Sequence, residues 1–486
     1  MKTLSPVRSR KRVAIAVLVA TTLSGCASFS TDGGFGPVEQ SAKDRLGKEL
    51  KWSRSVADQD AIDQRVAELL TQPLSAEDAV QIALLNNRGL QASFFELGIS
   101  EADMVQAGRL PNPGFSFGRL TQGSQVEIDR SIQFNLVRLL TLPMAQEIET
   151  RRFAQTRGAV TLNVLSLASE TRKAYFIALA AEETVRYALQ VQTAAEAGAE
   201  LARRQTQAGN WNKLQQAREQ GFYADAALSL ARAEQAQGAS RERLTRLLGL
   251  WGDQTRFRLP QRLPDLPKAP NDLPDVEQTA MAQRLDVQAA KLGTEQLAKN
   301  LGLTRATRFI NVLEVGAVRN TYNELPVQRG YTISVELPIF DWGSANVARA
   351  EARYMQAVNR TTETAINARS EVRQAYAGYR SSYDIARHFR DEIVPLQRRI
   401  SEENQLRYNG MLIGVFELLA DARSQITSVQ GYIAALRDFW IALADLDMTL
   451  IGKPSMSAAA SPGMASGQGE PRLPTNKETP CSLDEI

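Results

Sequence analysis

Glu170, Arg172, Ala174 and Tyr175 recur as Glu371, Arg373, Ala375 and Tyr376, and Gly209 recurs as Gly410, every one displaced by 201 positions. Isolated coincidences are common in Ala-rich helical sequence, whereas a constant offset held over roughly forty residues marks an internal duplication. The chain is therefore read as one unit written twice.

The first unit opens at Ser75-Ala76-Glu77-Asp78, an N-cap followed by acids in the first turn, and helical composition continues to Arg109 until Pro111-Asn112-Pro113-Gly114 stops it. From Gln125 to Leu136 the chain alternates. Val126, Ile128, Ile132, Phe134 and Leu136 share one face, and Gln125, Glu127, Asp129, Ser131, Gln133 and Asn135 the other, which predicts a strand with one apolar and one wet side. Arg130 is the exception on the apolar side. Phe115 to Leu120, across a turn holding Gly123 and Ser124, completes a hairpin. The second unit repeats it with Phe309 to Val318, then Tyr331, Ile333, Val335 and Leu337 alternating with Thr332, Ser334 and Glu336.

A Leu-Pro pair follows each hairpin, Leu142-Pro143 and Leu337-Pro338, and Pro near a helix start loses only an N–H that would have been unpaired. The stretches 144–208 and 344–408 hold no proline except Pro395 and predict helices of about 98 Å at helical rise. Val164, Ala168, Thr171, Tyr175, Ala178, Val185 and Leu189 follow coiled-coil spacing with Glu182 interrupting; a plain amphipathic helix is the other reading, and both require neighbouring helices. Ala208-Gly209-Asn210 and Asn409-Gly410 end these helices, and return helices at 211–249 and 411–451 cover part of the way back. Five prolines between 253 and 274 make an irregular connector, after which a helix from Val276 to Arg305 is expected to complete the distance, two half-length helices stacked end to end beside one long one.

At the N-terminus, Lys2, Arg8, Arg10, Lys11 and Arg12 precede the apolar run Val13 to Ala20 and Leu23-Ser24-Gly25-Cys26, a secretory signal too short to span a bilayer as a helix. Leu23-Ser24-Gly25-Cys26 resembles the lipobox of bacterial lipoproteins, which implies that Cys26 is acylated and tethers the chain to lipid. In such lipoproteins an Asp after the Cys favours the inner membrane; Ala27 stands here, and the resemblance implies the outer membrane. With only Cys26 and Cys481, no disulfide framework or Cys-based metal site is available. Without residues 1–25 the basic count falls from 57 to 52 against 54 acids, so no nucleic-acid partner is indicated. The single histidine, His388, excludes a His-based triad or two-His metal site, no phosphate or dinucleotide fingerprint occurs, and neither enzymatic activity nor a cofactor is expected.

The expected organisation is a signal peptide at 1–25, an acylated tether at 26–74, a first helix/hairpin/helix repeat at 75–250, a Pro-rich connector at 251–275, a second repeat at 276–452 and a disordered tail at 453–486. The class is mainly α with a small β part. Four strands cannot close a membrane barrel, which begins at about eight, so the chain is expected to assemble, as a dimer supplying eight strands or a trimer supplying twelve.

The duplicated unit, the Pro338-Ile339-Phe340-Asp341-Trp342-Gly343 junction, Leu110-Pro111-Asn112-Pro113 and the two helix tips together resemble the TolC-type outer membrane efflux family over residues 75–452. The resemblance implies a homotrimer with a twelve-stranded transmembrane β-barrel and a long α-barrel, serving as the passive exit duct of a tripartite efflux system. It implies docking of a periplasmic adaptor, itself bound to an inner-membrane pump, on Ala208, Gly209, Asn210, Trp211, Asn212 and Leu214 at one tip and Tyr408, Asn409, Gly410, Met411, Leu412 and Ile413 at the other. Family members close their periplasmic end with carboxylate rings just past the second tip, where Glu417 and Asp421 fall, although this chain holds extra residues between Gly410 and Ala422. The stretches around Trp211 and Gln216-Ala217-Arg218-Glu219-Gln220 resemble family members beside heavy-metal pumps, with no His or Met cluster accompanying them. An outer channel for protein secretion and a lipid-anchored periplasmic coiled-coil scaffold are the alternative roles.

Overall fold

The computed structural model describes residues 28–309, 312–336 and 339–453. The signal segment, Cys26, Ala27, the Leu337-Pro338 pair and the tail with Cys481 lie outside the described residues.

Two N-terminal helices, α1 (Gly36–Leu46) and α2 (Val56–Leu69), precede α3 (Ala76–Asn86) and α4 (Arg88–Ala107). The expected tether is thus folded from residue 28 onward. Its apparent lack of pattern hides Val38, Ala42 and Leu50, which pack with Phe94, Leu97, Val160 and Val164, and Ile62 and Val66, which enter the main core. Ser55 and Asp58 form a capping box that starts α2.

Strands β1 (Gly114–Gln122) and β2 (Gln125–Asn135) form the first hairpin, β3 (Leu313–Tyr322) and β4 (Gln328–Val335) the second, and the four make one antiparallel sheet in the order β1-β2-β3-β4. The predicted alternation holds along β2, but two boundaries move. Leu136 opens a helix, because the Asn135 side chain accepts the Arg138 backbone N–H at 2.9 Å and caps it there. Phe309 precedes β3 and packs edge-on against Trp342, with ring centroids 6.4 Å apart.

Helix α5 (Leu136–Gln207) runs for 72 residues, about 108 Å. It therefore starts before Pro143, which lies inside it and costs one internal hydrogen bond. The expected seam is buried from Val164 to Ala178, then steps sideways. Below it the buried positions are Ala188, Val191, Ala195, Gly198 and Ala202, while Leu189 is exposed. The step falls where Glu182 binds Arg241 at 3.0 Å.

The second long helix is α9 (Ser344–His388), a π turn (Phe389–Ile393) and α10 (Val394–Asn409), with Pro395 in the first turn of α10. His388 is exposed and lies 3.2 Å from Glu392. Return helices α6 (Lys213–Leu248) and α11 (Val415–Ile451) follow the two tips, while α7 (Val276–Gln283) and α8 (Leu285–Thr307) lead to the second hairpin.

The stacking differs from the sequence expectation. Helix α6 meets α3, with Asn86 Nδ2 donating to the Leu248 and Gly249 carbonyls at 3.1 and 2.8 Å, so each return helix is continued by its own unit's leading helices. Likewise the end of α11 meets the α7–α8 break, where Arg284, 1% exposed, reaches Asp286 and Glu371 at 2.7 Å and the Thr449 carbonyl at 3.5 Å. The connector makes this exchange possible by carrying the chain sideways between the two stacks.

Equivalent contacts occur in both units: Arg172 binds Glu77 at 2.9 Å and Arg373 binds Glu277 at 3.1 Å. The Tyr175 hydroxyl donates to the Leu74 carbonyl at 3.0 Å, and the Leu273 N–H donates to the Tyr376 hydroxyl at 3.5 Å. Burial, with help from Asp78 and Glu182, pushes the Tyr175 phenol up to about 12, so it remains a donor.

The main core lies where these elements cross. Phe439, 0% exposed, has Tyr379, Tyr383 and Trp440 with ring centroids within 5.8 Å. The connector girdles this core: Phe257, Leu263 and Leu266 are buried in it, Trp440 donates to the Pro264 carbonyl and Tyr383 to that of Lys268.

Candidate functional site

The residues expected to carry function lie at the two tips, at the end of the long helices remote from the sheet. At the first, Gly209 adopts φ +80°, a left-handed conformation that a Cβ would strain, and the turn closes through Asn210 N–H to the Gln205 carbonyl at 2.9 Å. Asn212 caps α6 through a full capping box with Gln215, the two bonds measuring 2.9 and 3.0 Å. Ala208, Gly209 and Asn210 are exposed, Trp211 is half-buried, and Leu214 is 60% exposed. Two turns above, Arg203 and Arg204 hold the Glu200 carboxyl down to about 2.

The second tip is built differently. Gly410 has φ −82°, so the predicted glycine is not the left-handed residue; Met411 is, at φ +60°. The reversal is closed by Met411 N–H to the Tyr408 carbonyl and Leu412 N–H to that of Arg407, at 2.9 and 2.8 Å. With Asn409 and Gly410 exposed, Gly414 precedes α11 without a side-chain cap, Ile413 is half-buried, and Met411 and Leu412 are 94% and 77% exposed.

The gate candidates separate. Glu417 is exposed in the first turn of α11, where a carboxylate suits the helix N-terminus. Asp421 is buried in the protomer, and its Oδ2 meets no hydrogen-bond donor among the described residues. Between them and the core, Arg423 on α11 binds Glu219 on α6 at 2.7 Å, with Glu219 1% exposed and the guanidinium over the Phe222 ring, 4.3 Å from its centroid. The partners are 204 positions apart, and no local signal joins them.

At the other end, the sheet presents Phe115, Phe117, Ile132, Phe134, Tyr331 and Ile333 on one face, all exposed in the protomer. Ser116, Asp129, Ser131 and Gln133 take the other. Phe340 and Trp342 are exposed at the junction, where Gly343 is left-handed and an added Cβ would meet the Arg308 carbonyl at 2.9 Å. Among the described residues no helix is long and apolar enough to cross a membrane.

This combination, a sheet with one exposed apolar face continuing into helices of about 100 Å, is the fold of TolC-type outer membrane channels. Solved structures of that class align with it. A crystal structure of CusC gives a TM-score of 0.63 at 20% identity, covering 78% of this chain and 92% of that one. The CmeC outer membrane channel of Campylobacter jejuni gives 0.67 at 16% identity, covering 84% and 91%. The open state of the MtrE outer membrane channel of Neisseria gonorrhoeae gives 0.65 at 20%, covering 78% and 89%. No protein-family model matches the chain. In sequence, it is similar to the cobalt-zinc-cadmium resistance protein CzcC of Cupriavidus metallidurans, 26% identical over 290 residues, or 57% of this chain. The match spans 66% of the length of that relative.

Proposed function

We propose that this chain is the outer-membrane exit duct of a tripartite efflux system in a Gram-negative bacterium, a passive homotrimer anchored additionally by acylated Cys26. The carrying observation is the sheet: its apolar face is exposed, its polar face lies opposite, and β1 and β4 stand at its two open edges. Unpaired edges are costly in a bilayer, and β4 of one copy placed against β1 of the next satisfies them. Three copies would give about twelve strands, within the range of membrane barrels.

The long helices then extend the duct through the periplasm. Adaptor docking is assigned to the tips, foremost to Met411 and Leu412, whose exposure offers apolar area to a partner helix. Glu417, exposed beside the second tip, is the better placed of the two gate acids. The role uses no catalytic group, energy being supplied by the inner-membrane pump. The likeness to CzcC supports divalent heavy-metal cations as cargo.

The test is single-channel conductance of purified, acylated protein in planar bilayers, with oligomer mass measured in the same detergent. Conducting trimers are expected. Monomers that never conduct, with the lipid confirmed on Cys26, overturn the proposal.

A further inference from the structure

Arg130, the one charged residue on the apolar side of its strand, has company in the sheet register. Directly paired residues of an antiparallel sheet point to the same face. Arg130 pairs with Arg319, and Arg319 with Arg329. Arg119 points the same way opposite Ile128, two positions from Arg130 along β2. The four arginines thus form one band across all four strands. The acids Glu127, Asp129 and Glu314 alternate onto the opposite face, so the sheet is cationic outside and anionic inside.

Arg119, Arg319 and Arg329 are exposed and Arg130 is half-buried, its Nη1 donating to Thr321 Oγ1 at 3.4 Å. Among the described residues none of the four forms an ion pair. Like charges directly opposite in a ladder are destabilising, and a guanidinium on a lipid-facing strand costs most at the bilayer midplane and least at the interface. Both costs fall when an external anion sits at this level. Toward the helices the same face carries Phe115, Phe117, Ile132, Phe134, Ile333 and Val335; toward the hairpin turns it carries Val126, Ile128, Thr121 and Thr321 over a short distance. The band therefore lies on the turn side of the apolar belt, where outer-leaflet headgroups meet a barrel whose helices point into the periplasm. Planar guanidinium forks bind phosphate oxygens in pairs.

We propose that Arg119, Arg130, Arg319 and Arg329 form a binding surface for the phosphorylated headgroups of outer-leaflet lipid, a bisphosphorylated saccharolipid of the lipid A type, which fixes the depth of the barrel in the membrane. The proposal rests on the reading of the chain as an outer-membrane barrel.

The test uses full-length protein in nanodiscs of phosphatidylcholine doped with lipid A, the retained lipid A being counted by native mass spectrometry and conductance recorded on the same preparations. The variant R119Q/R130Q/R319Q/R329Q is expected to retain at least tenfold less lipid A than wild type, the four-lysine variant an intermediate amount, with conductance alike in all three. Added inorganic phosphate is expected to leave wild-type retention unchanged; displacement by it would overturn the lipid as occupant. Equal retention by conducting wild type and glutamine variant overturns the surface and leaves the channel standing. Wild type that holds lipid A through these arginines but never conducts overturns the channel reading alone, and wild type that does neither overturns both. Where the fourfold variant does not assemble, Arg319→Gln decides: a two- to threefold loss is expected, and no loss overturns the proposal.

Discussion

At the first tip an unbroken helix of 72 residues runs into a turn where glycine takes the left-handed position and Asn212 caps the next helix. At the second, the descending helix is interrupted by the π turn Phe389–Ile393, the left-handed residue is Met411, and Gly414 offers no side chain to cap. A non-glycine residue in that conformation carries about 1–2 kcal/mol of strain. Strain of this kind clusters at binding and switch regions, and here it sits beside the exposed Met411 and Leu412 side chains. The first tip is thus a closed, capped turn and the second an uncapped turn that the proposed function makes the docking element, although the sequence writes both with the same glycine.

The seam joining the two return helices gives the largest expected effect on this contrast. Glu219→Gln strips Arg423 of its partner, and because Arg423 is 30% exposed the loss is set at about 2–3 kcal/mol rather than the full value for a buried pair. Thermal unfolding of the assembled protein reads it, and an unchanged melting temperature would show that the two tips are not mechanically joined there. Next, the double variant M411D/L412D is expected to weaken adaptor binding at least tenfold, about 1.4 kcal/mol, with the oligomer intact, whereas Leu214→Asp at the first tip costs less. Equal losses from both tips, measured by surface binding of the adaptor, would erase the distinction. Asn212→Ala removes the capping box and is expected to cost about 1 kcal/mol of stability while leaving adaptor affinity unchanged. Met411→Gly relieves the strained backbone and is expected to stabilise by about 0.5 kcal/mol, since glycine's greater freedom in the unfolded chain offsets part of the gain.

The smallest effect concerns pH. Arg203 and Arg204 lower the Glu200 carboxyl from 4.5 to about 2, so its contribution is fully present above the unfolded value and is lost as the pH falls through the folded one. The difference in melting temperature between wild type and Glu200→Gln is expected to be constant above about pH 4.5 and to vanish toward pH 2. A difference that persists at the acid end would place the effect of the substitution elsewhere than in the charge.

What could be read from the residues was whatever rests on local period. Alternation at Val126, Ile128 and Phe134 placed β2 because each strand has one apolar face, and Gly209 and Asn409-Gly410 placed the reversals. Boundaries failed where a single side chain decides: Asn135 captures Leu136 for the helix, and the π turn at Phe389 has no periodic signature in advance. The folded segment before Leu74 is not legible because its apolar residues are sparse and find their partners on other helices distant in sequence, as in the cluster that Val38 shares with Phe94 and Val160. For the same reason the buried charges Arg284 and Glu219 look like ordinary helix surface until their partners Glu371 and Arg423 are brought beside them. Of the two candidate gate acids, Glu417 is exposed, while Asp421 is turned into the protomer by packing that no residue spacing announces.

The π turn also has a mechanical consequence. Arg390 within it donates to the Leu266 carbonyl of the connector at 3.3 Å, and Phe389 packs so tightly on Gly431 that an added Cβ would lie 2.7 Å from its ring. If α10, 16 residues long, pivots where the girdle holds the π turn, its arm of about 24 Å would convert a tilt of roughly 10° into about 4 Å at Met411. On the proposed function, a displacement of that size is on the scale of a hydrated ion, and it asks nothing of the sheet at the far end.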